Sequence, residues 1–203
     1  MNDNVAAIVL AGGMSTRMGA PKPLAMLGGR MLIERVLDTL MASGSVAPIV
    51  VVTGHLADQL DPILRGLPVV VAHNVDYEKG GMLSSIKTGI RALPTNSKAV
   101  LLALCDQPMV QPATVSALVS DWRARRPRVL VPTHQGKRGH PIILSAVGFS
   151  EISSLAGDAT LKSYTSAHAA EILELEVEDA AVTRDIDTPA DLAAEQKSNF
   201  HQH

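Results

Sequence analysis

Six short apolar runs, separated by segments of helical period, limit the folds open to this 203-residue chain more than any other feature. Most of the runs are apolar throughout instead of alternating, and several contain β-branched residues, which indicates strands buried on both faces. The alternation of such strands with helices predicts an α/β fold, a three-layer and doubly wound sheet that is mostly parallel. The predicted strands are residues 5–10, 49–53, 69–72, 99–104, 129–132 and 142–144, and the predicted helices are residues 31–41, 56–64, 84–93, 113–125 and 160–167.

The composition supports one folded domain. Hydrophobic residues make up 46% of the chain and charged residues 19%, which is sufficient for a core and unlike a disordered chain. We expect a single domain over residues 1–196 and a frayed tail over residues 197–203.

Charge and cysteine content exclude several classes of partner. The net charge of -2 provides no basic field for nucleic acid or for an anionic membrane. The single cysteine, Cys105, cannot form an internal disulfide, which fits a reducing compartment. The chain starts without a signal-peptide pattern and has no apolar run of about 20 residues. We therefore expect a cytoplasmic protein without a membrane span.

The loop that follows the first predicted strand has the composition of an anion site. It contains Gly12 and Gly13, hydroxyls at Ser15 and Thr16, and cations at Arg17 and Lys22. Glycines let backbone amides approach an anion closely, while guanidinium and ammonium groups suit phosphate oxygens. The spacing matches neither a P-loop nor a dinucleotide fingerprint. A plain glycine turn with two solvated cations is the alternative, and the combination of groups favours phosphate binding.

Other polar residues follow the later strands, where ligands bind in open α/β sheets. Asp106 comes at the end of the fourth run, where its carboxylate could hold Mg²⁺. Arg138 and His140 lie in a basic loop that is expected to face the same rim and to supply countercharge to a phosphorylated acceptor. Asp187 begins an Asp-Thr-Pro run, so it is either a site residue or an ordinary helix cap, and Asp185 is close by.

The run L-A-G-G-M-S-T-R-M-G-A-P-K, residues 10–22, resembles the signature of the MobA/MocA-like nucleotidyltransferases that act on molybdenum cofactor. The resemblance continues through Asn74 and residues 80–85, residues 105–108, residues 138–141 and residues 185–189, in the expected order. It implies a Rossmann-like nucleotidyltransferase fold, with Mg²⁺ as cofactor and Asp106 and Asp187 as the metal ligands. It also implies that the nucleotide contacts residues of the glycine loop and of the 74–85 segment: Leu10, Ala11, Gly12, Gly13, Ser15, Thr16, Asn74, Gly80 and Ser85.

The reaction implied is attack by the phosphate of molybdopterin on the α-phosphorus of a nucleoside triphosphate, with release of pyrophosphate. Arg17, Lys22 and Asp106 are its expected catalytic residues. Gly12 resembles the guanylyl type, whereas residues 81–85, 106–108 and 139–141 resemble the cytidylyl type, and we favour CTP over GTP on that balance. A molybdoenzyme, or its chaperone, would receive the product.

Two other interpretations remain open from the sequence. The chain could be a sugar-phosphate or polyol-phosphate nucleotidyltransferase, although the basic loop suits a more anionic acceptor. It could also be a non-catalytic nucleotide-binding chaperone that delivers cofactor, which the presence of both Lys22 and Asp106 disfavours.

Overall fold

A mixed sheet of eight strands forms the centre of the molecule in the computed structural model, which describes residues 3–13, 18 and 21–200, except the side chains of 198–200. The strand order is β10-β7-β9-β6-β1-β4-β5, and β8 pairs with β7. Only β8 and β9 run antiparallel to their neighbours in this sheet; β2 and β3 form a separate hairpin. The strands are β1 (Val5–Leu10), β2 (Met26–Leu27), β3 (Arg30–Met31), β4 (Ile49–Thr53), β5 (Val69–His73), β6 (Ala99–Leu104), β7 (Val129–His134), β8 (Lys137–Arg138), β9 (Ile142–Ser145) and β10 (Ile172–Glu176).

Helices cover both faces of this sheet and complete three layers. Alternate side chains of β1 point to opposite faces, so Ala7 joins the core under α1, α2 and α4 while Ile8 joins the core under α3 and α5. The mostly parallel, doubly wound α/β fold predicted from the sequence is confirmed. The helices are α1 (Leu32–Ser43), α2 (Ala57–Leu64), α3 (Gly81–Ala92), α4 (Pro112–Arg125), α5 (Phe149–Ser154), α6 (Leu161–Ala167) and α7 (Pro189–Phe200).

The connection order identifies where a ligand should bind. From β1 the chain passes to β4 and β5 on one side, then crosses to β6 on the other side of β1. A crevice opens at such a switch point, outside the carboxyl ends of the strands. The segments that follow β1, β4 and β6 therefore line the expected site.

Helix α3 and the C-terminal segment differ from the sequence prediction. Helix α3 begins at Gly81, three residues before the predicted start, and the Ser84 hydroxyl donates to the Gly81 carbonyl oxygen at 2.9 Å within the first turn. Helix α7 extends to Phe200, so residues 197–200 of the predicted tail are helical, while 201–203 lie outside the described residues. Within the described part of the chain, no helix has the length and apolar character needed to cross a bilayer.

Candidate active site

Lys22 lies between two carboxylates that are distant in sequence. Its Nζ donates to Oδ2 of Asp106 at 3.1 Å and also to Oδ1 of Asp187. Asp106 is 84 positions and Asp187 165 positions from Lys22 in the sequence, and the three side chains meet at the carboxyl edge of the sheet. The structure thus brings together three of the residues singled out in the sequence.

Backbone contacts hold these three residues in place. Lys22 opens a short 3-10 turn, Lys22–Leu24, whose Pro23 is buried. Asp106 lies two residues beyond the end of β6, and its carbonyl oxygen accepts a hydrogen bond from the Ile186 amide at 2.8 Å. That bond fixes the neighbouring Asp187 beside Asp106.

The carboxylates keep the lysine protonated. Burial by itself would lower the pKa of Lys22, but its hydrogen bonds to Asp187 and Asp106 and the charges of both outweigh burial, so the pKa is raised. The lysine therefore remains cationic at neutral pH and offers a positive charge to the cavity beside it.

Asp187 differs from the neighbouring residues Asp185, Thr188 and Asp191 in the contacts that its side chain makes. Oδ1 of Asp185 accepts a hydrogen bond from Nε2 of Gln107 at 2.7 Å, away from Lys22. The cap of α7 is made by Thr188 and Asp191: the Asp191 amide donates to Oγ1 of Thr188 at 3.2 Å, and Oδ2 of Asp191 accepts from the Thr188 amide at 2.8 Å. Asp187 is therefore not the helix cap, and its carboxylate lies in the lysine cluster.

The carboxylate pair suits a hard divalent cation. Oδ1 of Asp106 is buried and has no hydrogen-bond partner among the described residues, as expected for an oxygen reserved for a ligand. Mg²⁺ typically takes one or two carboxylates and completes its coordination with water and substrate phosphates. Among the described residues, no three or more histidine, cysteine or acidic side chains are placed so that they could hold a metal ion by themselves.

A cavity of about 370 Å³ opens beside this cluster. The cavity is lined by Asp106 and by six of the residues that were expected to contact the nucleotide or its phosphates. Gly80 and Asn74 are not among its lining residues. The expected residues on its wall are Leu10, Ala11, Gly12, Gly13, Lys22 and Ser85, and sequence reasoning left out Pro23, Tyr77, Glu78, Gly81, Met82, Leu104 and Cys105. Gly81, Met82 and Cys105 lie within motifs quoted from the sequence, and Pro23 and Leu104 adjoin such motifs along the chain. Tyr77 and Glu78 belong to none of these motifs and reach the cavity through the fold.

Asn74 stands behind the cavity wall. It is 1% exposed, and its Nδ2 donates to the hydroxyls of Ser84 at 2.8 Å and Ser85 at 3.0 Å. Its Oδ1 accepts from the Asp76 amide at 3.0 Å. Asn74 therefore orients Ser85 at the cavity wall. Direct contact of Asn74 with the nucleotide stays a prediction.

Replacing Asn74 by alanine should lower the free energy of unfolding by about 1–3 kcal/mol, because two serine hydroxyls lose a buried partner. The Michaelis constant for the nucleotide should rise at the same time, since Ser85 is no longer held at the cavity wall. Urea denaturation and steady-state kinetics measure the two effects. Asn96→Ala, at an exposed turn, is the matched control; an unchanged unfolding midpoint for Asn74→Ala would contradict the assignment.

Glycines at the ends of β1 and β4 allow the backbone to close around the cavity. A Cβ on Gly54 would lie 2.8 Å from the Gly12 carbonyl oxygen, so only glycine fits there. A Cβ on Gly12 would lie 3.4 Å from Oγ of Ser85 and 3.5 Å from the Gly54 nitrogen, which are ordinary contacts. The protein therefore tolerates a methyl group at Gly12, and the absence of one leaves space in the cavity.

The predicted acceptor residues Arg138 and His140 differ in their surroundings. Arg138 is exposed, and its Nη2 pairs with Oε1 of Glu174 at 2.6 Å, which compensates its charge. His140 is mostly buried, and burial lowers its pKa despite the nearby charges of Asp185 and Asp106. The lowered pKa favours the neutral imidazole of His140 at pH 7. Contact of either residue with an acceptor stays a prediction.

Gly139 holds this loop against the segment that leads to Asp187. A Cβ at Gly139 would lie 2.0 Å from the Val182 carbonyl oxygen, and the His140 amide donates to that same oxygen at 2.8 Å. The loop and residues Ala180–Thr183 are therefore packed backbone to backbone. Three other predicted site residues, Ser15, Thr16 and Arg17, lie outside the described residues.

Cys105 is a core residue. It is buried in the cluster under α1 and α4, and burial raises the pKa of its thiol far above neutrality. The protonated thiol is unsuited to nucleophilic attack.

The chain belongs to the family described as the MobA-like NTP transferase domain, whose model matches residues 7–172, and this membership identifies it as a nucleotidyltransferase. It is 27% identical over 192 residues to a molybdenum cofactor cytidylyltransferase of Escherichia coli (strain K12), covering 91% of each chain. It is also 29% identical over 197 residues to a nicotine blue oxidoreductase of Paenarthrobacter nicotinovorans, covering 91% of this chain and 92% of the other.

Among solved structures, a nucleotidyl transferase from Methanothermobacter thermautotroptrophicus superimposes with a TM-score of 0.83 at 22% identity, covering 100% of both chains. This similarity shows a shared fold. Three other curated relatives are matched over only 22%, 31% and 63% of their own lengths.

Proposed function

We propose that the chain transfers a nucleoside monophosphate from CTP, with GTP as the alternative, to the phosphate of molybdopterin, releasing pyrophosphate in a Mg²⁺-dependent reaction. The observation that carries the proposal is the cluster of Lys22, Asp106 and Asp187 at the wall of the glycine-loop cavity. The family membership and the cytidylyltransferase relative support the choice of acceptor.

The two carboxylates and the two cationic side chains of the proposed site have different roles in the reaction. Asp106 and Asp187 would hold Mg²⁺, which when bound supplies charge neutralisation to the phosphate oxygens. Lys22 places its ammonium where charge develops on the transferred and leaving phosphates, and Arg17 is expected to assist. The acceptor phosphate is already ionised near neutral pH, so positioning replaces a dedicated general base.

The proposed reaction predicts a defined pattern of substrate use. Pyrophosphate release should be measured with CTP and GTP, each with molybdopterin, a sugar 1-phosphate, a polyol phosphate or no acceptor, with Mg²⁺ or with EDTA. We expect release only with molybdopterin and Mg²⁺, faster with CTP. Release with a sugar or polyol phosphate instead would reassign the acceptor, and nucleotide binding with no release from any pair would favour a non-catalytic carrier.

The choice of base can be tested at Gly12. Gly12→Ala should lower kcat/KM for GTP by roughly 10- to 200-fold, the range that one methylene in a binding pocket can discriminate, and leave CTP nearly unchanged. The reason is that the added methyl group fits the protein and takes space only from the ligand. An equal loss for both nucleotides, measured in parallel with an unchanged melting temperature, would remove the role of Gly12 in base selection.

A further inference from the structure

Tyr77 is an aromatic side chain on the wall of the nucleotide cavity that no motif explains. The whole sequence contains only two tyrosines, two phenylalanines and one tryptophan. Trp122 and Tyr164 are each 1% exposed and serve the core, whereas Tyr77 is half-buried at the cavity. Core packing therefore does not explain why an aromatic residue occupies position 77.

The backbone at the end of β4 fixes where Tyr77 lies. A Cβ on Gly54 would come within 2.9 Å of the Tyr77 Cβ and 3.1 Å of the Gly12 Cα. Gly12 and Tyr77 thus pack against the same glycine and stand side by side. The ring is further bordered by His55, whose centroid is 5.9 Å away at an interplanar angle of 47°, and the hydroxyl donates to Oε1 of Glu78 at 3.3 Å.

Tyr77 stands on the side of the cavity opposite the charged cluster. Strands β4 and β6 flank β1 on its two sides, with Gly54 following β4 and Asp106 following β6. Adjacent strands are about 4.8 Å apart, so the two ends are separated by roughly 10 Å. A nucleotide whose phosphates lie at Lys22 and Asp106 would place its base at the Tyr77 end.

The far side of Tyr77 is open. A second cleft, of about 700 Å³, is lined by His55, His73 and Tyr77 among others, so the tyrosine separates this cleft from the nucleotide cavity. Tyr77 is therefore shared by the linings of both spaces. Truncation of the Tyr77 side chain would enlarge these two open cavities and would not leave a closed void in the core.

We propose that Tyr77 is the platform on which the nucleobase stacks, an inference that rests on the proposed nucleotidyl transfer and adds a recognition residue to it. Aromatic stacking tolerates any base, because every base has a π face. Tyr77 therefore supplies affinity for the nucleoside, while Gly12 beside it governs how large a base fits.

The test compares ligands with and without a base. Dissociation constants of CTP, GTP and inorganic tripolyphosphate should be measured by calorimetry, with Mg²⁺ and without acceptor, for the wild type, Tyr77→Ala, Tyr77→Leu and Tyr77→Phe. Val75→Ala, in the same connection and 76% exposed, is the matched control. Because stacking of one base is worth about 1–3 kcal/mol, Tyr77→Ala should weaken both nucleotides roughly 5- to 150-fold.

Tripolyphosphate affinity should stay unchanged in every variant, and Tyr77→Phe and Val75→Ala should bind nucleotides as the wild type does. Unchanged nucleotide affinity in Tyr77→Ala and Tyr77→Leu, or an equal loss for tripolyphosphate, would overturn the stacking role. If Tyr77→Ala fails to fold, Tyr77→Leu decides the same comparison. A wild-type protein that binds neither nucleotide would instead refute the proposed function, a result distinct from a failure at Tyr77 alone.

Discussion

Replacing Lys22 by alanine is expected to lower the turnover number by roughly 10²- to 10³-fold while leaving the protein folded. Removal of one group that stabilises transition-state charge costs about that factor in other enzymes. Lys22 is held by Asp106 and Asp187 in its protonated form beside the cavity, so its charge is already in place before the substrate arrives. Steady-state rates of pyrophosphate release measure the effect.

The control for Lys22→Ala is Lys162→Ala, which removes an exposed lysine on α6. That variant should turn over like the wild type, and both should keep the circular dichroism spectrum of the wild type. Near-normal turnover by Lys22→Ala would contradict the assignment of the active site.

Asp106→Asn is expected to reduce Mg²⁺-dependent turnover by roughly 10²- to 10³-fold and to raise the Mg²⁺ concentration needed for half-maximal rate. Loss of several kcal/mol of charge stabilisation corresponds to such a factor. Asp106 lies two residues beyond the end of β6 and presents a buried oxygen without a hydrogen-bond partner among the described residues. Metal titrations of the rate measure both changes.

The neighbouring aspartates provide the contrast for this experiment. Asp187→Asn should behave like Asp106→Asn, because both carboxylates bind Lys22. Asp185→Asn should reduce the rate less than about tenfold, because its Oδ1 serves Gln107 and an asparagine oxygen can accept the same bond. A larger loss at Asp185 than at Asp187 would show that the two were assigned the wrong way round.

The sheet could be predicted because its strands are apolar on both faces, a local property. β1, β4 and β6 have the predicted bounds, because in each of them the run of mostly buried residues and the strand coincide. β10 was missed because its sequence, ILELE, is not apolar throughout, and its two glutamates are exposed at the edge of the sheet beside β7. Helix α5 was also missed, because its six residues are too few to show a period.

The site residues could be predicted from the sequence only where a functional side chain lies in a local motif or next to the end of a strand. The glycine loop and Asp106 lie next to the ends of strands, so the rule for parallel sheets places them at one edge. The choice between Asp185 and Asp187 depends on an amide from residue 186 bonding across the fold to Asp106, which no local pattern encodes. The burial of Asn74 and the approach of Tyr77 to Gly12 depend likewise on contacts between separate strands.

The most direct test of nucleotidyl transfer follows the label of the nucleotide. The protein is incubated with Mg²⁺, molybdopterin and CTP labelled with ³²P at the α-phosphate, and in a parallel reaction at the γ-phosphate. The account predicts that the α-label moves to a product containing molybdopterin, that the γ-label appears in pyrophosphate, and that Lys22→Ala suppresses both. Appearance of the γ-label in orthophosphate, or in the acceptor, would contradict it.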